Sequence, residues 1–185
     1  MSDTSEQPSV LDELPGDLMI WVLIVSELLV FGAGLLAFLG MRVADPSGFA
    51  EAQNHLDRVA GAINTVVLVT SGYMAAMAAR TADRSAMRTR LWLLGALGLA
   101  VVFMAIKWAE YATHAQHGIS IETGGFFTFY YLLTGFHAAH VLAGIVVFAL
   151  LIWKPRRPLV EAGAAFWHMV DLVWVLLFPI IYLVR

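Results

Sequence analysis

The sequence contains no cysteine among its 185 residues. This absence excludes disulfide bonds, thiolate-bound metals, iron–sulfur clusters and covalently attached c-type haem. Charged residues are also scarce, at 14% of the chain, while 60% of the residues are hydrophobic and the mean hydropathy is +0.77. A soluble domain of this length usually has about a quarter charged residues. The composition therefore predicts a membrane protein with one domain.

The beginning of the sequence lacks the basic region that opens a signal peptide. Residues 1–17 are polar and acidic and contain no Lys or Arg. Pro15-Gly16-Asp17 is a helix-start signal placed directly before the first apolar run. We therefore expect a polar cytoplasmic segment over residues 1–17, followed by a retained transmembrane helix and not by a cleavage site.

Five apolar runs are long enough to cross a bilayer core of about 30 Å, which takes about 20 helical residues. They predict an all-α, polytopic membrane protein built as a five-transmembrane-helix bundle over residues 18–185. The first connection contains Asp45-Pro46 and is expected to hold a short surface helix, and Pro179 is expected to bend the last span. The predicted helices cover residues 18–41, 59–79, 91–114, 126–153 and 164–184.

Basic residues are divided unequally between the two sides of this bundle. Seven lie in the connections after the second and fourth helices, and three lie on the other side. By the positive-inside rule, the side with seven faces the cytoplasm of a bacterial inner membrane, with the N-terminus inside and the C-terminus outside. Aromatic residues expected at the membrane interfaces are Trp21, Trp108, Trp153 and Tyr182.

Glu27 lies ten residues into the first predicted helix, roughly 15 Å deep at 1.5 Å per residue. An ionisable group inside a span is a functional candidate, because burying it without a partner costs roughly a few kcal/mol or more. Two interpretations remain open. Glu27 is either a proton-responsive or lipid-facing acid, or a neutral acid that is hydrogen-bonded to a neighbouring helix.

Two histidine-containing stretches lie in the last two predicted helices. His137 and His140 share one helical face, as do His168 and Asp171, because residues three apart lie close together on a helix. A metal or haem site would need further ligands at the same depth. The predicted bounds instead place His168 at the cytoplasmic end of its helix. We therefore predict no metal site and expect hydrogen bonds from these imidazoles to other helices.

Three further polar residues lie in apolar runs. Lys107 and Glu110 are three residues apart near the outer end of the third helix. This spacing predicts an ion pair within the helix that reaches toward the membrane surface. Alternatively, Glu110 pairs with a histidine of the fourth or fifth helix. Asn64 in the second helix is placed to satisfy polar groups of its neighbours.

Taken in order, these motifs resemble subunit III of the haem–copper oxidases. The resemblance covers nearly the whole chain after about Leu14, and it is specific because five weak motifs occur in register. The matching elements are Ser26-Glu27 and Phe31-Gly32, Ile63-Asn64-Thr65 with Ser71, Lys107 with Glu110-Tyr111, Thr134-Gly135-Phe136-His137 with His140-Val141, and Trp167-His168 with Asp171 and Trp174.

Within this family the chain resembles the five-helix form, most closely the NorE-type subunit associated with nitric oxide reductase. The five-helix subunit III of quinol oxidases is the nearest alternative. Glutamate at position 27 departs from both, since it is typical of the cytochrome c oxidase subunit.

The resemblance implies a non-catalytic accessory subunit of a respiratory complex in aerobic electron transport. Such a subunit flanks a catalytic haem-containing subunit, holds structural phospholipid and supports proton uptake. It implies that haem and copper belong to the partner, that this chain binds neither, and that nucleic acid is not a partner. Glu27 matches the family's carbodiimide-reactive carboxyl position, and His137, His140, His168 and Asp171 match its polar core.

Two functions of other classes remain as alternatives. The first is a self-contained intramembrane metal or haem enzyme that uses the histidines. The second is a proton-conducting transporter built around Glu27, although the sequence shows no inverted repeat of the kind found in many transporters.

Overall fold

The computed structural model describes residues 18–184, and this part of the chain is almost entirely helical. Five segments are long and apolar enough to cross a membrane, so the predicted all-α bundle of a multi-pass membrane protein is confirmed. The predicted segment 1–17 lies outside the described residues. The elements are α1 (Leu18–Ala44), α2 (Pro46–Gln53), α3 (Arg58–Thr81), α4 (Ala86–Gln116), α5 (Gly125–Trp153), α6 (Arg157–Phe178) and a π-helical turn (Pro179–Leu183).

Side-chain caps fix the starts of three helices. Asp45 caps α2, Asp57 caps α3 and Ser85 caps α4, and each accepts hydrogen bonds from backbone N–H groups of the first turn. Those N–H groups have no acceptor within their own helix, so a capping side chain supplies one. The short polar connections seen in the sequence therefore end one helix and start the next.

Helix α6 begins at Arg157, seven residues before the predicted start at 164. The prediction was wrong because Pro158 does not keep the chain in a loop. It lies in the first turn of the helix, where its missing N–H removes no hydrogen bond. His168 is therefore not at the end of its helix. It lies eleven residues after Arg157, roughly 16 Å along the axis and near the middle of the span Arg157–Leu183.

Helices α3 to α6 pack together, and α1 packs across α5 and α6. Two glycines allow close approach to α6. Gly144 of α5 lies against the ring of Trp167, and Gly72 of α3 lies against the carboxylate of Asp171. A Cβ atom at either glycine would collide with these side chains. Small residues thus bring α6 close to both neighbours, as is common between membrane helices.

Indole N–H groups link α6 to α3 inside the bundle. Trp167 Nε1 donates to Ser71 Oγ at 3.1 Å, and Ser71 Oγ donates to the Ala96 carbonyl of α4 at 2.8 Å. Two helical turns after Trp167, Trp174 Nε1 donates to Thr65 Oγ1 at 3.1 Å. Both indole rings are completely buried. These bonds fix the rotation of α6 relative to α3.

The short helix α2 supports the end of the chain. Its existence was predicted, but one of its side chains lies inside the protein and not at the surface. The amide of Gln53 is fully buried and donates to the carbonyls of Ile181 at 2.8 Å and Val184 at 2.9 Å. Helix α2 therefore satisfies one carbonyl group of the π-helical turn and the carbonyl group of Val184 directly after it.

Candidate functional site

Glu27 of α1 lies beside His140 of α5, with 3.2 Å between Glu27 Oε2 and His140 Nε2. The ring is not aligned for a regular hydrogen bond to this oxygen, so the contact is one of charge and proximity. His140 Nδ1 lies 2.9 Å from the carbonyl oxygen of Phe136, which can only accept, so we assign the Nδ1 proton to that bond. The remaining ring nitrogen faces the carboxyl group.

This pair can hold one proton in two ways. A proton on His140 Nε2 gives an imidazolium beside a carboxylate, and a proton on Glu27 gives a neutral acid beside a neutral ring. Both arrangements have no net charge, which makes them less costly within a membrane than an isolated ion. The side chains are 26% and 14% exposed, so the pair is close to the surface of the bundle.

Aromatic side chains enclose the imidazole of His140. The ring centroids of Phe31 and Phe136 lie 5.5 Å and 4.7 Å from it, both in edge-on arrangements. Phe166 of α6 stacks on it at 6.4 Å. These contacts hold the ring toward Glu27 and surround the pair with apolar groups.

An apolar groove of about 490 Å³ opens between the beginning of α1, the end of α5 and the beginning of α6. It reaches toward the Glu27–His140 pair. Leu23 in its wall lies one helical turn before Glu27, and Phe166 in its wall is the residue stacked on His140. The other lining side chains include Ile20, Val147, Leu150 and Leu159.

A second polar cluster lies deeper in the bundle, around Lys107 and Glu110 of α4. Lys107 Nζ lies 3.0 Å from Glu110 Oε2, as predicted from their spacing. The expectation that the pair reaches the surface is wrong, since Lys107 is 1% and Glu110 8% exposed. Tyr130 and Tyr182 replace water: each hydroxyl accepts from Lys107 Nζ and donates to Glu110 Oε1 at 2.8 Å. Glu110 therefore pairs with phenols and not with a histidine.

His137 and Asn64 are fully buried without the partners expected of them. Neither ring nitrogen of His137 has a hydrogen-bond partner within residues 18–184, and the same holds for the amide atoms of Asn64. The His137 ring packs instead against Phe103 and Trp174, at 5.6 Å and 5.3 Å. The predicted interhelical hydrogen bond is therefore wrong for His137, because the side chains at its depth are aromatic.

His168 and Asp171 lie on another part of the bundle, where α6 meets α3. His168 Nδ1 is 3.9 Å from Asp171 Oδ2, so the closest polar contact is within the helix and not between helices. Asp171 is buried against Gly72. In the described part of the chain, no three His, Asp or Glu side chains are grouped so that they could hold a metal ion. Six of the eight predicted residues thus form three separate pairs, and His137 and Asn64 belong to none of them.

Sequence reasoning missed the two phenols of the Lys107 cluster. Tyr182 was expected at the membrane interface and is completely buried, whereas Trp108 and Trp153 are exposed as interfacial residues would be. A signal for Tyr130 was present, because Tyr130, Thr134 and His137 recur at helical spacing on one face of α5. Tyr182 itself carried no such local signal, because it lies 72 residues from Glu110 along the chain.

The sequence similarity to known proteins covers the whole bundle. The family model for cytochrome c oxidase subunit III matches residues 17–184. A cytochrome c oxidase subunit 3 of Thermostichus vulcanus is 30% identical over 174 residues, 88% of this chain and 84% of that protein. One of Corynebacterium diphtheriae is 30% identical over 176 residues, 89% and 86%. A heme-copper oxidase subunit I+III of Aeropyrum pernix is 32% identical over 180 residues, 89% of this chain and 22% of that protein.

Proposed function

Because this chain belongs to the cytochrome c oxidase subunit III family and is an accessory subunit of a haem–copper oxidase, we propose that it binds membrane lipid and supports proton uptake by its catalytic partner. The observation that carries this proposal is the Glu27–His140 pair next to an apolar groove, whose wall includes Leu23, one turn before Glu27, and Phe166, which stacks on His140. Haem and copper belong to the catalytic subunit, which performs the redox chemistry. This chain is not an enzyme by itself.

The groove has the chemistry of a site for a lipid chain. Its wall is formed by aliphatic side chains and Phe166, which bury hydrocarbon favourably and offer no hydrogen bonds. The connection between α5 and α6, which lies between the lining residues Leu150 and Leu159 along the chain, contains Lys154 and Arg156, and α6 begins with Arg157. Basic side chains at a membrane surface attract anionic lipid headgroups. A phospholipid with its headgroup at this connection would place one acyl chain in the groove.

The Glu27–His140 pair has the chemistry of a proton-exchanging group. One proton can reside on either side chain, and loss of that proton would leave a net negative charge within the membrane. Such a change alters the local potential for a neighbouring subunit, since charges in a low dielectric act over longer distances than in water. We assign the end of the bundle with the basic connections to the cytoplasm, so that the groove opens toward the cytoplasmic leaflet.

An oxygen-reducing partner is favoured over nitric oxide reductase. The relatives from Thermostichus vulcanus and Corynebacterium diphtheriae are named cytochrome c oxidase subunits, and position 27 is glutamate. The relative named subunit I+III joins both subunits in one protein, which supports a position directly beside subunit I. The electron donor, quinol or cytochrome c, follows from the identity of that partner.

Purification in mild detergent tests the assembly. The tagged chain should bring down a haem-containing subunit that consumes oxygen, and the chain separated from it should be colourless. Consumption of nitric oxide in place of oxygen would reassign the complex to nitric oxide reductase. A Soret band or stoichiometric metal in the separated chain would contradict an accessory role and indicate a self-contained enzyme.

Substitution of Glu27 tests the proposed site. Glu27→Gln keeps the shape of the side chain and removes its ionisation, so the haem spectrum should be unchanged while turnover becomes severalfold less durable or less phospholipid is retained per haem. Ser26→Ala is the matched control, because Ser26 is exposed on the same turn and bonds only the Leu23 carbonyl of its own helix. Wild-type durability and lipid content in Glu27→Gln would rule out the proposed role.

A further inference from the structure

His168 presents an imidazole to the outside of the bundle in the middle of a membrane span. Its side chain is 49% exposed. It lies eleven residues after Arg157 and fifteen before Leu183, roughly 16 Å and 22 Å from the two ends of the span. A short histidine side chain cannot reach either interface over such distances, unlike Lys or Arg. In a lipid bilayer, this imidazole would therefore face hydrocarbon.

Asp171 lies behind this imidazole and does not satisfy it. The 3.9 Å between His168 Nδ1 and Asp171 Oδ2 exceeds the length of a hydrogen bond. The other carboxylate oxygen, Oδ1, is buried and has no hydrogen-bond partner from Leu18 to Val184. Gly72 of α3 leaves the space that the carboxylate occupies. Two neighbouring polar groups at mid-membrane depth thus retain unused hydrogen-bonding capacity.

The surface around His168 is mainly apolar, and the hydroxyl of the exposed Thr70 on α3 bonds the Val66 carbonyl of its own helix. Leu172 and Leu176 follow it on the outward side of α6, and Val69 and Tyr73 are exposed on α3. An imidazole at mid-membrane depth within a mainly apolar helical face is a pattern by which membrane helices associate, with packing over the face and a hydrogen bond from the polar group.

We propose that this α3–α6 face, defined by Val69, Tyr73, His168, Leu172 and Leu176, is the contact surface for a transmembrane helix of the catalytic subunit. That helix would place a hydrogen-bonding side chain against His168. A lipid would not satisfy the His168 imidazole, since acyl chains cannot hydrogen-bond and headgroups remain at the interfaces. The identity of the partner rests on the proposed function, which places this chain beside a haem-containing subunit.

Photocrosslinking in the intact complex tests the contact directly. A benzophenone amino acid replaces Leu172, one helical turn from His168, in cells that make the whole complex. Matched positions on other faces are Leu94 of α4 and Val146 of α5, which are similarly exposed. We expect irradiation to join the chain to the catalytic subunit from position 172, and more strongly than from positions 94 and 146.

Capture only of lipid, or of a second copy of this chain, from position 172 would overturn the inference. If position 94 or 146 captured the catalytic subunit instead, the accessory function would stand and only the assignment of the face would fail. If the catalytic subunit neither co-purified nor was captured from any position, the proposed function itself would fail.

Substitution of His168 tests the proposed hydrogen bond separately. His168→Ala should make the chain about 3- to 10-fold easier to strip from the complex with detergent, the range expected for one hydrogen bond between membrane helices. His168→Gln keeps a donor and an acceptor and should restore part of the retention. Leu94→Ala, at an exposed apolar position of α4 outside this face, is the control and should leave retention unchanged. Equal retention in His168→Ala and the wild type would contradict the hydrogen bond.

Discussion

Lys107 and Glu110 form an ion pair in the interior of the bundle, with 3.0 Å between Nζ and Oε2 and two tyrosine hydroxyls bridging the same two groups. Each ion thus has its charge balanced and its hydrogen bonds largely filled. A buried pair of this kind is held in place by the cost of breaking it and not by the strength of its attraction.

Removing one member of the pair should therefore be worse than removing both. Lys107→Met leaves the Glu110 carboxylate without its counter-charge and should lower the free energy of unfolding by about 3–5 kcal/mol. The double variant Lys107→Met, Glu110→Leu should recover part of this loss. Unfolding in mixed detergent, followed by circular dichroism, measures both. Lys154→Met, at an exposed position, is the control. A double variant less stable than the single would contradict the proposed balance.

This pair also shows what the sequence can predict. Residues three apart on one helix meet whatever the rest of the fold does, so the Lys107–Glu110 and His168–Asp171 pairs could be predicted from spacing. The burial of Lys107 could not. It depends on Tyr182, which lies 72 residues from Glu110 along the chain and reaches it through the packing of α6.

The Glu27–His140 contact follows the same logic. The position of a residue along its helix can be read from the local sequence, so Glu27 and His140 could both be predicted to lie inside membrane spans. Their meeting depends on how α1 and α5 are rotated about their axes, which is set by contacts such as those of Phe31 and Phe136. His137 also lies inside a span, but its ring packs against aromatic rings and not beside a polar partner. The start of α6 was predicted too late because Pro158 was assigned to a loop, whereas it lies in the first turn of the helix.

The contact of Gly144 with Trp167 predicts a steric effect. Gly144→Ala would drive a methyl group into the indole ring, and should lower the free energy of unfolding by about 1–3 kcal/mol, the usual cost of overpacking. Gly135→Ala on the same helix meets nothing within 4 Å and should be neutral or slightly stabilising. Thermal unfolding of both variants in detergent makes the comparison. Equal changes in stability in the two variants would show that contact with the Trp167 ring does not determine the effect.

The amide of Gln53 predicts a local effect at the end of the chain. Gln53→Leu removes the donors to the Ile181 and Val184 carbonyls and leaves them without that partner, which should cost about 1–3 kcal/mol. The loss should appear as faster hydrogen exchange after Pro179, with little change in α3 or α4. Gln116→Leu changes the same side chain at an exposed helix end and is the control. Unchanged exchange after Pro179 would show that α2 does not hold the terminal turn.

The proximity of Glu27 and His140 predicts that their substitutions are not additive. If the two side chains hold one proton together, Glu27→Gln and His140→Asn each abolish the shared group, and the double variant should lose little more turnover durability than the more damaging single variant. Glu27→Gln combined with Arg88→Ala should be additive, because Arg88 is exposed at the start of α4 and forms no part of this pair. Durability is measured as the number of catalytic cycles before the complex loses half its activity. Losses that simply add in the Glu27–His140 cycle would mean that the two residues act independently, and that their 3.2 Å contact has no part in the support of proton uptake.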